Sequence, residues 1–308
     1  MRRLIPVIEV GGTHLEVAQV DVLNGRVVAS TRRRQALDAA GSAEEIIASL
    51  LMSARGLNAG RATWWGIAIP GPFDYERGIG RFAGIGKFES LQGVDLAGAL
   101  QRQLEPAPGG ITFINDADAF LLGEWTRGAA SGHYRAVGIT LGTGVGSSFL
   151  IDGALVHGGP GIPRGGQAWT LSYGGAPLEE TVSRRGILAR YAADGGSSEA
   201  RDVRDVANRA RNGEATARRV LEQTFNILGA VLAPWLCEFG ANVLVLGGGI
   251  AQSWELIAPP LSNGLVTTSP DLSSALTITP AAHPKSSALL GAAVCADNAS
   301  RGGTYSSS

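Results

Sequence analysis

Asp116 closes the apolar run "ITFIND", where a strand gives way to the helical stretch "ADAFLLGEWTRGAA". A carboxylate at such a junction can serve as the helix N-cap. It can equally point outward from the strand end as a proton acceptor for an alcohol. Phosphoryl transfer needs that second role, which contributes roughly 10²–10⁴ in rate. Three glycine-rich turns offer the complementary chemistry: Gly11-Gly12-Thr13, Gly142-Thr143-Gly144-Val145-Gly146 and Gly247-Gly248-Gly249. Each follows an apolar strand. Glycine there permits positive φ and exposes backbone N–H groups that cradle phosphate. One such turn fits an ordinary hairpin as well, but three at strand ends favour a phosphate ligand. The Gly142 turn is followed by the strand "SSFLIDG" rather than by a helix, and it carries no Walker lysine. It therefore reads as a phosphate-binding β-hairpin, not as a P-loop or a dinucleotide turn.

These residues need strands to carry them. "LIPVIEV", "HLEVAQVDV" and "GRVVAS" form a β-meander, with the last turn at Asn24-Gly25. Ser42 and Glu45 make a capping box for a helix to about Arg55, with Ile46, Ile47, Leu50 and Leu51 on one face. "WWGIAIPGPFD" is a buried strand ending in Pro70-Gly71-Pro72, and a helix near 94–104 leads to "ITFIND". The opening pattern then recurs in "AVGITLGTGVGSSFLIDGALV", followed by a helix near 215–239, the strand "NVLVLGGGIA" and the closing helix "SALLGAAVCA". Two meander units, each followed by alternating helix and strand, predict a duplicated α/β architecture with a cleft between its halves.

Composition narrows the function. The 308 residues are 44% hydrophobic and 17% charged, with a net charge of -1. That balance gives no field for nucleic acid or anionic lipid, and "RRR" at 32–34 reads as a solvated strand end. The 44 glycines are about twice ordinary usage. Cys237 and Cys295 stand in apolar contexts and read as core thiols of a reducing cytoplasm. The stretch 225–239 is too short and too interrupted to span a bilayer, Glu9 breaks any signal-peptide core, and the tail 299–308 is expected to be disordered.

The ordered set "VIEVGGTHLEVAQVD", "GIAIPGPFD", "INDADAFLLGEW", "GITLGTGVGSSFLIDG", "LEETVSRRGI", "VLVLGGGIA" and "SALLGAAVCA" resembles the ROK family, from about residue 5 to 296. The resemblance implies a two-domain α/β fold of the actin-like ATPase (ribonuclease H-like) type with a central cleft. It places a small N-terminal domain at 1–116, completed by a helix at about 286–298, and a large domain at 117–285. It implies Mg-ATP as cofactor, a cytoplasmic location and a homodimer. Gly11, Gly12 and Thr13 would form the first phosphate loop, Gly142, Thr143 and Gly144 the second, and Gly247 and Gly248 would approach the adenosine. Asp116 would be the general base and Asn115 a ligand of substrate hydroxyls. Glu179 would bind the sugar, and Pro70-Gly71-Pro72 would shape the substrate side. Glu9 stands where the family carries an aspartate that holds the magnesium hydration shell, one methylene shorter.

The departures from the family pattern set the acceptor. Related chains carry a segment like G-E-x-G-H and then C-x-C-G-x-x-G-C-x-E, which bind sugar hydroxyls and a structural zinc. Here Gly165 and Ala168 fall at the glutamate and histidine, and Thr170, Ser172 and Pro177 at the cysteines. No structural zinc is expected. Unpaired sugar hydroxyls cost about 1–3 kcal/mol each, so the acceptor is expected to be other than glucose: an amino or deoxy sugar, or a carbocyclic sugar mimic, which the resemblance to ROK-like cyclitol kinases narrows to a C7-cyclitol. Arg164 can reach acceptor or phosphate oxygens or stay solvated, and His14 and His157 lie beside the glycine loops. Asp118 and Glu124 read as structural, and only one of Glu179 and Glu180 should face the site. A repressor's helix-turn-helix has no room before residue 5. A catalytically silent sugar-binding sensor or scaffold is the competing reading, and it is motivated by Glu9 and the depleted loop.

Overall fold

The structure, a computed structural model, describes residues 2–57, 60 and 63–303. It divides into two compact units, residues 1–128 with 285–307, and Ala129–Pro284.

The first unit is built on a sheet of β1 (Leu4–Val10), β2 (His14–Asp21), β3 (Arg26–Val27), β4 (Arg33–Ala36), β5 (Trp64–Ile69) and β8 (Gly110–Asn115), with the small hairpin β6 (Phe73–Asp74) and β7 (Ile79–Gly80) apart from it. The order is β3-β2-β1-β5-β8, and β4 also pairs with β2. β1 runs antiparallel to β2 and parallel to β5, which runs parallel to β8. Consecutive residues of β1 and β5 are buried, as central strands covered on both faces require. The predicted capping box is present at Ser42 and Glu45, and starts α1 (Ala43–Ala54), which buries Ile46 and Leu50. α2 spans Leu96–Gln103, and α3 spans Asp116–Arg127.

The C-terminal helix (Ser287–Ser300) closes this unit, and glycines let it do so. A Cβ on Gly123 of α3 would lie 1.9 Å from the Ser287 carbonyl oxygen, and one on Gly291 1.9 Å from that of Ala119. A Cβ on Gly66 of β5 would come within 2.2 Å of the Ala292 oxygen. These backbones touch, so α3 belongs to the first unit, and the boundary falls at Gly128 rather than at 116. The helix also runs past the expected start of a disordered tail. Gly303 N donates to the Asn298 carbonyl, while 304–308 lie outside the described residues.

The second unit repeats the plan. β9 (Arg135–Leu141), β10 (Val145–Ile151) and β11 (Ala154–Leu155) are followed by the hairpin of β12 (Ser172–Tyr173) and β13 (Ala176–Pro177), then by β14 (Val243–Gly247) and β15 (Thr277–Pro280). The sheet order is β11-β10-β9-β14-β15. β9 is antiparallel to β10 and parallel to β14, as β1 is to β2 and β5. The helices are α4 (Glu179–Val182), α5 (Arg184–Ala193), α6 (Val203–Arg211), α7 (Ala215–Phe239) and α8 (Trp254–Thr268).

At 25 residues α7 is long and apolar enough, by length and composition, to cross a membrane. Its buried face, from Ala217 through Leu228 to Phe239, instead forms the core of this unit. Gly229 and Gly264 bring α7 and α8 into backbone contact. Two expectations change. Cys237 is exposed, because it falls on the outer side of α7 between the buried Leu236 and Phe239, whereas Cys295 is buried as expected. Arg32 is not simply solvated: its guanidinium pairs with Glu16.

Candidate functional site

Within the first unit, β1 and β8 end beside the residues singled out above. Gly11–Thr13 turns the chain from β1 into β2, and Gly11 N donates to the His14 carbonyl at 2.8 Å. A Cβ on Gly11 would lie 3.0 Å from the His14 ring, whereas one on Gly12 would meet only Lys87 Cδ, at 4.0 Å. His14 is half-buried, and desolvation together with Arg34 lowers its pKa, which favours the neutral imidazole.

At this junction Asp116 is not the N-cap of the helix. Asn115 is the N-cap of α3, its Oδ1 accepting from the N–H groups of Ala117 (2.9 Å) and Asp118 (3.3 Å). Asp116 is the first helical residue, and its Oδ1 accepts at 2.9 Å from Ala117 N. Burial pushes its carboxyl up, opposed by the Ala117 hydrogen bond and the Lys87 charge. A carboxylate raised towards working pH is a better proton acceptor than one at its ordinary value. The remaining amide group of Asn115 donates to Tyr75 Oη at 2.9 Å, and Tyr75 donates to the Ile69 carbonyl at 3.3 Å. A Cβ on Gly71 would lie 3.3 Å from that tyrosine oxygen and 3.8 Å from Asn115 Nδ2. Pro70 is buried just before it. The sequence reading brought Gly71 and Asn115 to one place and missed Tyr75, whose only signal is its position three residues past Pro72.

Glu9 lies on β1 in register with Glu16 of β2 and Ala68 of β5. Burial, then the negative charges of Glu16 and Asp116, push its carboxyl up to about 7, against the opposing pull of Arg32 and Arg34. A buried acid whose carboxyl is pushed up by burial and then by neighbouring acids suits a site that takes up a cation, so Glu9 fits magnesium held through water. In its absence the charge is a burden. The folded chain keeps a proton that the unfolded chain releases above 4.5, so this carboxyl's contribution to stability is lost as pH rises through about 7. Without magnesium, Glu9→Gln should therefore raise the melting temperature at about pH 8.5 and leave it unchanged at about pH 4. Melting curves at both pH values check this.

In the second unit, Gly142 N donates to the Gly144 carbonyl at 3.0 Å and closes the turn between β9 and β10. Thr143 and Gly144 are exposed, and a Cβ on Gly142 would meet open space. Glu179, first residue of α4, accepts from Val145 N at 2.9 Å through Oε2, so its carboxylate latches this hairpin. Glu180 turns instead to Arg185 at the surface. Gly247 ends β14 opposite Thr140 of β9. Gly248 has φ of +85°, and a Cβ there would lie 2.2 Å from the Leu141 oxygen. The second and third glycine turns are thus neighbours, held together by one residue that only glycine fits.

The loop "GGPGIPRGGQAW" holds its shape by hydrogen bonds and close packing. Ser147 Oγ donates to the Gly166 carbonyl at 2.5 Å and accepts from Ala168 N at 2.8 Å. A Cβ on Gly161 would lie 2.1 Å from Phe239 N, which pins the loop to the end of α7. Leu178 N donates to the Leu171 carbonyl at 2.7 Å below the β12–β13 hairpin. Arg164 is exposed at a 3-10 turn, Arg164–Gly166. Gly165, Ala168, Thr170, Ser172 and Pro177 carry no thiolate, imidazole or carboxylate. Such side chains do not supply the ligands that a structural zinc needs. Asp118 and Glu124 are buried within α3, Glu124 accepting from Ser287 Oγ.

The sequence profile of the ROK family matches residues 6–169 and 170–299. A glucokinase of Thermotoga maritima is 27% identical over 284 residues, 84% of this chain and 86% of that protein. A ROK family glucokinase from Streptomyces griseus, solved in complex with glucose and AMPPNP, is similar in fold. Its TM-score is 0.75 at 22% identity, over 96% of this chain and 100% of that chain. A ROK family transcriptional regulator, a homolog of the E. coli MLC protein, is equally similar in fold. It gives a TM-score of 0.77 at 20% identity, over 97% of this chain and 79% of its own.

Proposed function

The chain belongs to the ROK family, and on that premise we propose that it transfers the γ-phosphoryl group of ATP to a hydroxyl of a sugar-like polyol, with Asp116 as general base. One observation carries the reading. Asn115 takes the capping role at the start of α3, and with Asp116 Oδ1 accepting from Ala117 N, Oδ2 of that buried carboxyl is left for a proton. In the step, the acceptor oxygen bonds to the γ-phosphorus as its proton passes to Asp116. The bond from that phosphorus to the bridging oxygen breaks, and its electron pair leaves on ADP.

Gly11, Gly12 and Thr13 would hold phosphate oxygens from the first unit, and Gly142, Thr143 and Gly144 from the second. Gly247 and Gly248 would lie along the adenosine. Glu9 would hold magnesium through water, and that ion supplies charge neutralisation on the phosphates when bound. Pro70, Gly71, Asn115 and Arg164 would orient the acceptor. Glu179 would bind the acceptor through Oε1, since Oε2 is spent on Val145.

The acceptor is other than glucose: an amino or deoxy sugar, or a C7-cyclitol. Support comes from Gly165 and Ala168, which leave hydroxyls of glucose without partners at about 1–3 kcal/mol each. ADP release with Mg-ATP over hexoses, amino sugars and cyclitols tests this. A cyclitol or amino sugar should exceed glucose in kcat/KM by at least roughly tenfold, as one lost contact implies. Glucose as the best acceptor would refute it. Protein prepared with zinc in the medium should carry no stoichiometric zinc by elemental analysis. The family resemblance also supports a cytoplasmic homodimer.

A further inference from the structure

We propose that Lys87 is a further catalytic residue, its ammonium group meeting the oxygens of the phosphoryl group in transit to the acceptor. The inference rests on the kinase reading above and adds a group that the motif pattern did not offer.

Lys87 is one of only two lysines in the chain. Its side chain approaches the first glycine turn at Gly12, where Cδ lies 4.0 Å from the place a Cβ would take. Its charge also reaches Asp116 and opposes the effect of burial on that carboxyl. A cation beside a phosphate-binding turn whose charge also reaches the general base suits a transferring phosphoryl group. Among the described residues Lys87 has no ion-pair partner, whereas Arg32 is committed to Glu16.

The backbone keeps this lysine in place. Gly86 has φ of +76° and Phe88 φ of +58°. Phe88 is fully buried, its ring centroid is 5.3 Å from that of Phe82, and its N–H donates to the Ala39 carbonyl at 2.7 Å. Glu89 accepts from Gly86 N at 2.9 Å, and Ser90 Oγ donates to the Gly41 carbonyl at 2.7 Å. A large non-glycine residue in the left-handed region persists only where its surroundings over-determine it, and such residues gather at functional positions. Here the strained residue adjoins the exposed lysine.

The chemistry suits a point charge. Negative charge spreads over the equatorial oxygens as the acceptor oxygen bonds to phosphorus and ADP departs with its electron pair. Lys87 donates hydrogen bonds to those oxygens, while the hydroxyl proton goes to Asp116.

Lys87→Met and Lys87→Arg in the full chain test the assignment. Lys87 is exposed, so both variants should melt with the wild type. Lys87→Met should lower kcat by roughly 10²–10³-fold, with KM for ATP and for the acceptor unchanged. Lys87→Arg should recover most of that loss. ADP affinity, measured by calorimetry with Mg²⁺, should tighten on adding aluminium fluoride in the wild type and in Lys87→Arg, but not in Lys87→Met. A near wild-type kcat for Lys87→Met, or a loss confined to the acceptor KM, would overturn the proposal. So would fluoride tightening that persists without the ammonium, or that is absent from the wild type. The fluoride readout needs no acceptor. If no acceptor is turned over yet the tightening depends on Lys87, the acceptor reading fails and the lysine's role stands.

Discussion

Asp116→Asn should lower kcat on the best acceptor by roughly 10²–10⁴-fold and leave nucleotide affinity unchanged. The substitution keeps shape and an acceptor oxygen for Ala117 N while removing the group that takes the proton. The start of α3 should survive, because Asn115 and not Asp116 caps it. Losing a negative charge that raises Glu9 should also relieve the site, so the variant should melt no lower than the wild type. Loss of activity with retained stability and retained nucleotide binding is the signature of a base. Turnover close to that of the wild type would remove Asp116 from the chemistry.

Gly248→Ala should strike the second unit through its backbone. The residue has φ of +85°, and its new Cβ would lie 2.2 Å from the Leu141 oxygen and 2.7 Å from Leu141 N. Left-handed strain costs about 1–3 kcal/mol, and overpacking costs about as much again. Together they take a large share of a stability of roughly 5–15 kcal/mol. The end of β14 must then move away from β9, and the two glycine turns part. Gly249→Ala is the matched control. Gly249 has φ of -64° and ψ of -34°, and a Cβ there meets open space. Gly248→Ala should melt well below the wild type and bind ATP poorly, while Gly249→Ala keeps its melting temperature. Equal melting temperatures for the two variants would refute the close approach.

Much of this architecture was legible because its signals are local. The capping box at Ser42 and Glu45 and the two hairpin meanders depend on residues a few positions apart, and both appear as expected. The unit boundary was not legible, since it depends on backbone contact between α3 and a helix distant in sequence, made through Gly123 and Gly291. The site divides in the same way. Asn115 and Asp116 were visible as a strand-to-helix junction, but which of them caps the helix depends on side-chain geometry. Glu179 was visible as a motif residue, and its bond to Val145 was not. Lys87 and Tyr75 left almost no trace. Lys87 is placed by the left-handed Phe88, and Tyr75 by its bond to Asn115. Cys237 misled because an apolar neighbourhood in sequence does not say which side of α7 a residue takes.

The central claim is that this chain makes a phosphate ester of a sugar-like polyol at the expense of ATP. The most direct measurement incubates the purified chain with Mg-ATP and each acceptor, following ADP and the acceptor's mass together. For at least one amino sugar, deoxy sugar or cyclitol the phosphorylated acceptor should accumulate in step with ADP, and both should vanish in Asp116→Asn. Acceptors that bind while ADP never rises above its acceptor-free rate would contradict the account, and would make the chain a silent binder of sugars.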